Sequence, residues 1–275
     1  MARYRQFTQR YGITQTDLLA GLKQAALAGG NIITNANYEN LGYSRKTDGE
    51  PTTDVDAASE RAIVDILRLH LPRISIYSEE NDYEQYGRLW ALVDPLDGTK
   101  NLVGGTNIDR VSVSIIVFYR DDKIAAVVYA PFKKKMYYAL RGEGSWLDGS
   151  MVSVSEGNDL VGGRINFNSP RDRNDALLTE QIRGVLPTNP DRGSPSLDIA
   201  EVGSGEVDAF FKVSYKPHDV GAALIVEEAG GIVTDTRGNP LTFSKDTTRV
   251  RNPYGILACN RHLHGPLVEI MKMFR

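Results

Sequence analysis

The sequence predicts an α/β (α+β) chain built as two lobes, and three observations carry that expectation. Amphipathic helical runs fill the first part, alternating apolar residues between Val111 and Leu140 read as consecutive strands, and beyond about residue 155 strand and helix alternate. The 275 residues, 41% hydrophobic and 24% charged, suffice for two lobes that share an interface. The expected division is 1–155 for an N-terminal α+β lobe and 156–275 for a C-terminal α/β lobe.

Residues 13–28 read as a first helix, with Leu18, Leu19, Leu22 and Ala26 near one face and Gly29-Gly30 ending it. A polar segment spans about 42–53. Residues 56–70 form a second helix, with Ala62, Ile66 and Leu69 on a stripe and Pro72 beyond its end. Ile74-Ser-Ile76-Tyr-Ser is a short strand running into Glu79-Glu80, and 89–93 a strand entering a turn at Asp94. Val111, Val113, Ile115 and Val117 alternate along the next strand; Asp121-Asp122 turns it into 124–129, and 136–140 follows. Lys133-Lys134-Lys135 reads as a solvated turn or edge. The C-terminal half is read as strand 164–168, helices 174–186 and 194–203, strand 207–213, helix 219–229 closed by Gly230-Gly231, strands 232–234 and 255–259, and helix 262–274.

Composition narrows the function. The formal net charge of -3 offers no basic excess for a nucleic-acid polymer or an anionic membrane surface. Cys259 is the single cysteine, set in an apolar run, so no disulfide within the chain is possible and an inert buried thiol is expected. The start, Met-Ala-Arg-Tyr-Arg-Gln, lacks a signal-peptide core, and no stretch approaches the roughly 18 apolar residues of a membrane span. A soluble, cytoplasmic protein is the expectation.

The segment with most chemistry is Trp90-Ala-Leu-Val-Asp94-Pro95-Leu96-Asp97-Gly98-Thr99-Lys-Asn101. Two carboxylates, a hydroxyl and a turn lie within six residues, a donor set suited to hard divalent cations and phosphate chemistry. Asp-Pro and Asp-Gly pairs also occur in plain turns, so the rest of the chain must decide. Thr53-Asp54-Val-Asp56-Ala-Ala-Ser-Glu60 starts a helix, where Asp54 reads as an N-cap. Glu79-Glu80 ends a strand, where adjacent acids are often simply solvated. Asp219 in Lys216-Pro-His218-Asp219 precedes an apolar helix and also reads as a cap. Glu227-Glu228-Ala-Gly-Gly231 ends that helix, and its glycines fit a C-terminal cap. Each alone is weak; together they set carboxylates at the ends of separate elements. His70, His218, His262 and His264 are scattered, and His262 and His264 read as surface residues, which argues against a zinc site.

In order and spacing, Asp56…Glu60, Glu79-Glu80, Trp90…Asp94-Pro-Leu-Asp97-Gly-Thr99-Lys-Asn101 and Asp219-Val-Gly-Ala-Ala-Leu-Ile-Val-Glu-Glu228-Ala-Gly-Gly231 resemble the inositol monophosphatase family of Mg²⁺-dependent, lithium-sensitive phosphatases. The resemblance runs from about residue 15 to 270. It implies a layered αβαβα sandwich, the sugar-phosphatase fold, with metals between the lobes. It implies that Glu79, Asp94 and the Leu96 carbonyl hold one Mg²⁺ and that Asp94, Asp97 and Asp219 hold a second. Thr99, hydrogen-bonded to Asp56, would orient water held with Glu79, and the Gly98 and Thr99 amides would hold phosphate. The segment Gly193-Ser194-Pro through Lys212 corresponds to the substrate helix and strand, with Asp97 and Asp219 also facing substrate. A homodimer acting on a small phosphate ester, inositol monophosphate by default, is implied.

Three positions depart from the pattern. His218 replaces a Trp, Gly221 stands where Ala is frequent, and Lys212 stands where inositol-specific members carry an acid that binds sugar hydroxyls. A Lys cannot accept from a hydroxyl but pairs with anions. Lys212, with Arg171 from the Arg164, Arg171 and Arg173 group around Asn168, is therefore expected to meet a second phosphate or carboxylate, unless it simply points to solvent. The alternatives are fructose-1,6-bisphosphatase or 3′(2′),5′-bisphosphate nucleotidase activity, and, in another class, a non-catalytic metal-binding regulator.

Overall fold

The computed structural model describes residues 2–38, 41–46, 49–83, 87–168, 173–186, 188–189, 191–243 and 252–274, with the side chains of 2–5 and 173–175 excepted. In chain order the elements are α1 (Ala2–Tyr11), α2 (Gln15–Thr34), β1 (Tyr43–Arg45), β2 (Pro51–Thr53), α3 (Asp54–His70), β3 (Ser75–Ser78), β4 (Asp82–Tyr83), β5 (Leu89–Asp97) and α4 (Thr99–Gly104). There follow β6 (Ser112–Tyr119), β7 (Asp122–Ala130), β8 (Lys135–Leu140), β9 (Gly144–Leu147), β10 (Ser150–Val152), β11 (Ile165–Phe167) and α5 (Arg173–Arg183). The chain closes with α6 (Pro195–Gly203), β12 (Ala209–Lys212), α7 (Ala223–Glu228), β13 (Ile232–Thr234), β14 (Ile256–Cys259) and α8 (Arg261–Lys272).

Strand alternation builds the layers. In the 8-stranded sheet β10-β9-β8-β7-β6-β5-β3-β4, all pairings are antiparallel except β3 with β5. Leu89, Ala91 and Val93 of β5 face a core shared with Leu18, Leu22 and Ala26 of α2 and Ile63 and Leu67 of α3. The intervening Trp90 and Leu92 face the opposite way, onto Leu197 and Ala200 of α6, Leu224 and Ile225 of α7, and Phe210 and Ala258 of the second sheet. That second sheet, β11-β12-β14-β13, turns Ile165, Phe211, Leu257 and Cys259 outward to Ile182 of α5 and Leu263 and Leu267 of α8. The result is the expected αβαβα sandwich, with α6 and α7 as a middle layer common to both sheets.

Several elements differ from expectation for identifiable reasons. α2 continues through Gly29 and Gly30 to Thr34. A Cβ on Gly29 would lie 2.7 Å from Ile63 and Ser59, and one on Gly30 2.5 Å from the Tyr129 ring, so these glycines admit close packing and do not stop the helix. The N-cap of α3 is Thr53, not Asp54; Asp56 returns a hydrogen bond to complete a capping box. Strand β5 runs on to Asp97 with a bulge. The helix expected over 219–229 is split into a 3₁₀ turn, Pro217–Val220, and α7. The short elements α1, β1, β2, β4, α4, β9 and β10 lie outside the expected set. Cys259 is fully buried, and burial pushes its thiol up to about 12. His262 is surface-exposed and meets Glu156, but His264 is half-buried against Thr234, a correction to its surface reading.

Candidate active site

β3 and β5 run parallel, with Ser78 level with Val93, so the two strands finish side by side at one end of the sheet. Glu79 leaves β3 there, its amide donating to the Val93 carbonyl at 3.0 Å, beside Asp94. Asp94 pairs with Ser114 and Asp97 with Ser112, three residues on β5 against two on β6. Residues three apart in a regular strand point to opposite faces; the extra residue at this bulge, beside Pro95, brings Asp94 and Asp97 to the same cleft. Gly98 then turns the chain with φ of 97°, and a Cβ there would sit 2.8 Å from the Arg110 carbonyl. α4 begins at once with Thr99.

The Thr99 hydroxyl lies 2.9 Å from Asp56 Oδ1 and 3.0 Å from the Leu96 carbonyl oxygen, donating to one or the other. Asp56 Oδ2 accepts the Thr53 amide at 2.8 Å and the Thr53 hydroxyl at 2.6 Å. Burial pushes Asp56 up to about 6, against these hydrogen bonds. Asp97 Oδ2 accepts from the Ser194 hydroxyl and the Ser196 amide, both at 2.7 Å. Burial pushes Asp97 up to about 7, with Asp219 adding to the rise against those bonds. Burial and then the charges of Glu79 and Asp97 hold Asp94 well above the carboxylate range. Burial also works upward on Glu79, but Lys46, His218 and Lys216 outweigh it and keep its carboxyl below the usual value.

These residues line a cleft of about 510 Å³ that includes Glu79, Asp94, Leu96, Asp97, Gly98, Thr99, Gly193, Lys212 and Asp219. All the residues expected at the site are thus in one place except Ser194, which is fully buried behind Asp97, and Asp56, which is buried behind Thr99. Lys212 is corrected on both of its readings. It is 2% exposed, not solvated, and its Nζ donates to Asp219 Oδ2 at 2.7 Å, so it is not presented to a substrate anion. Arg164 is spent on Asp208 and the Glu206 carbonyl, Arg171 lies outside the described residues, and so does the Arg173 side chain. Glu79 and Glu80 are half-buried and held by Lys46, not solvated. Gly221 makes room for the Ser114 hydroxyl, which a Cβ would strike.

Sequence reasoning missed four charged neighbours. Lys46 bridges Glu79 and Glu80; Lys216 donates to Glu50 at 2.6 Å and lies 3.5 Å from Glu79. Asp191 accepts from Asn168 and from the Gly193 amide, both at 2.9 Å. Lys216 adjoins the Asp219 motif and could have been read there; Lys46 lies in a polar stretch with no distinguishing pattern.

Among the described residues, no three acidic or histidine side chains already converge on a common point as metal ligands would. The donor chemistry nevertheless fits a hard divalent cation on the Glu79, Asp94 and Leu96 carbonyl side. Asp94 and Asp97 are buried next to each other's charge, and a cation would relieve that repulsion. On the Asp219 side the position is held by the Lys212 ammonium.

Fold and cleft together define a class, the layered α/β sandwiches of the sugar-phosphatase type with a carboxylate-lined site at the end of the larger sheet. The inositol monophosphatase family model matches residues 14–271, and the chain belongs to that family. It is 33% identical over 262 residues to Nus factor SuhB of Salmonella typhimurium, covering 90% of this chain and 96% of that one. It is 35% identical over 202 residues to a Thermotoga maritima fructose-1,6-bisphosphatase/inositol-1-monophosphatase, covering 70% and 75%. The solved suhB protein of Bartonella henselae superposes with a TM-score of 0.82 at 25% identity, over 92% of this chain and 98% of that one. The Thermotoga maritima IMPase gives 0.79 at 26% identity, over 91% and 94%.

Proposed function

We propose that this protein is a Mg²⁺-dependent phosphomonoesterase that hydrolyses a small phosphorylated metabolite, inositol monophosphate by default. The observation that carries the proposal is the Thr99–Asp56 hydrogen bond of 2.9 Å at the rim of a cleft that also holds Glu79, Asp94 and Asp97. Residues 1–155 would carry most of the cation ligands and 156–275 Asp219 and further substrate contacts.

Glu79, Asp94 and the Leu96 carbonyl would hold the cation. Bound there, a divalent ion supplies Lewis acidity, lowering the pKa of water and offsetting phosphoryl charge. Thr99 donates its proton to Asp56, which turns the hydroxyl lone pairs toward the cleft to accept from the attacking water. Asp56, fixed by Thr53 and titrating near about 6, is a base matched to neutral pH. Glu79 stays ionised under its lysines and accepts from the same water. The Gly98 and Thr99 amides, presented at the start of α4, would donate to phosphoryl oxygens. No covalent intermediate on a Cys or His is required.

Two further readings have support. The name of the Thermotoga relative favours a sugar bisphosphate as substrate; Lys212 does not support it, being committed to Asp219. The name of the SuhB relatives, Nus factor, favours a regulatory role. Phosphate release with Mg²⁺, with and without EDTA, across inositol 1-phosphate, fructose 1,6-bisphosphate and adenosine 3′,5′-bisphosphate separates them. EDTA-sensitive release from inositol phosphate supports the proposal, and preference for a bisphosphate shifts the substrate. No release from any of them while Mg²⁺ remains bound supports the regulator.

A further inference from the structure

β12 ends on Lys212, whose side chain enters the molecule between the sheet and the cleft. Its backbone is fixed by pairing with Ile256 in β14. Its Nζ reaches Asp219 Oδ2 at 2.7 Å, and the same oxygen accepts the Lys216 amide at 2.7 Å. That second bond closes the 3₁₀ turn Pro217–Val220 and pins Asp219 in place. The ammonium also acts on Asp97, where its charge favours the ionised form.

The three lysines at this cleft are not equivalent. The side chains of Lys46 and Lys216 keep 19% and 21% of their surface in solvent, so each can leave Glu79 and find water. The Lys212 side chain keeps 2% and has no such route. A buried ammonium is costly without an anion. Drawing Asp219 into a metal's coordination shell would take that anion away and set the ammonium against a divalent ion at close range. The family's second cation position, shared by Asp94, Asp97 and Asp219, is therefore filled from within the chain.

Resting on the phosphatase reading above, we infer that Lys212 is a resident cation at the Asp219 position, so that the cleft binds one divalent cation tightly, on the Glu79–Asp94 side. The acid expected at residue 212 in inositol-specific members is here a positive charge, which makes this a property of the present chain and not of the family at large.

The test is a count of bound Mn²⁺ per full-length chain, by electron paramagnetic resonance of the free ion during titration. The wild type is expected to take one tight equivalent. Lys212→Glu and Lys212→Gln are expected to take two, or to tighten a weak second equivalent at least tenfold, whereas Lys46→Gln stays at one. Two tight equivalents of similar affinity in the wild type would overturn the inference and leave the phosphatase proposal standing. Variants at 212 that titrate like the wild type would do the same. No Mn²⁺ binding by the wild type would overturn both. If Lys212→Glu fails to fold, the wild-type count and the Gln variant decide.

Discussion

Thr99 is a β-branched residue placed where its hydroxyl has one proton and two acceptors, Asp56 Oδ1 and the Leu96 carbonyl. Removing that hydroxyl should cost catalysis, not folding. Thr99→Ala is expected to lower kcat by roughly 10²–10⁴-fold, the usual contribution of positioned acid–base groups, while Thr99→Ser retains most activity; steady-state rates with an unchanged melting temperature check it. Asp97→Asn should likewise stay folded and lose orders of magnitude in turnover. The carboxylates also set a pH dependence. Asp56 and Asp97 sit near about 6 and about 7 in the metal-free chain, against an ordinary 3.8. Between those limits the folded state holds protons that the unfolded chain has released, so each group's contribution weakens as pH rises through its folded pKa. EDTA-treated protein is therefore expected to melt at lower temperature at pH 8 than at pH 5. Mg²⁺ should restore several degrees at pH 8, since a hundredfold excess over Kd contributes about 2.7 kcal/mol. Differential scanning fluorimetry at the two pH values reads both; a flat profile would remove the buried-carboxylate account.

Most elements were legible because their periodicity is driven by burial. The strands from Ser112 to Leu140 are apolar on both faces because helices cover each side of the sheet, and the pattern survives that. What misled was local punctuation. Gly29-Gly30 looks like a helix stop, yet α2 needs both residues so that α3 and β7 can approach. Gly30→Ala gains helix propensity of about 1 kcal/mol but forces a methyl against Tyr129, and overpacking typically costs about 1–3 kcal/mol. A net loss of stability is expected in chemical denaturation; a gain would mean that α2 has slack. The site was legible where a motif places its members close in sequence, as from Asp94 to Thr99. It was not legible where partners come from afar, as with Lys46 on Glu79 and Lys212 on Asp219. Residue type alone says that Lys is usually exposed, and only the pairing of β12 with β14 shows that residue 212 is not. Arg110 makes the same point at the head of α6, where it meets Asp198 at 2.7 Å and also Glu201, all three buried. Arg110→Ala leaves two carboxylates without that partner and should cost about 3–5 kcal/mol, measurable by the same denaturation.

The two sheets share α6 and α7, so the molecule is expected to open as a unit. Cys259, in a central strand of the smaller sheet and fully buried, reports on that. An aromatic disulfide reagent should leave it unmodified in the native protein and react fully in denaturant, at a native rate that tracks global unfolding; rapid native labelling would show that the second sheet opens alone. Above the ordinary thiol value of 9.0 the unfolded chain ionises while the folded one resists until about 12, so this residue also lowers stability as pH rises across that interval. The order β11-β12-β14-β13 carries a last consequence, for how the protein comes off the ribosome. The strand that joins β12 to β13 is the last strand made. A nascent chain can therefore finish its larger sheet, with Glu79, Asp94 and Asp97 already at its end, long before Asp219 has a sheet to lean on. At about 5–20 residues per second the interval is roughly 5–20 s. Throughout it the acidic end of the first sheet stands half-built in water, a natural station for a chaperone or for an early cation to wait with it.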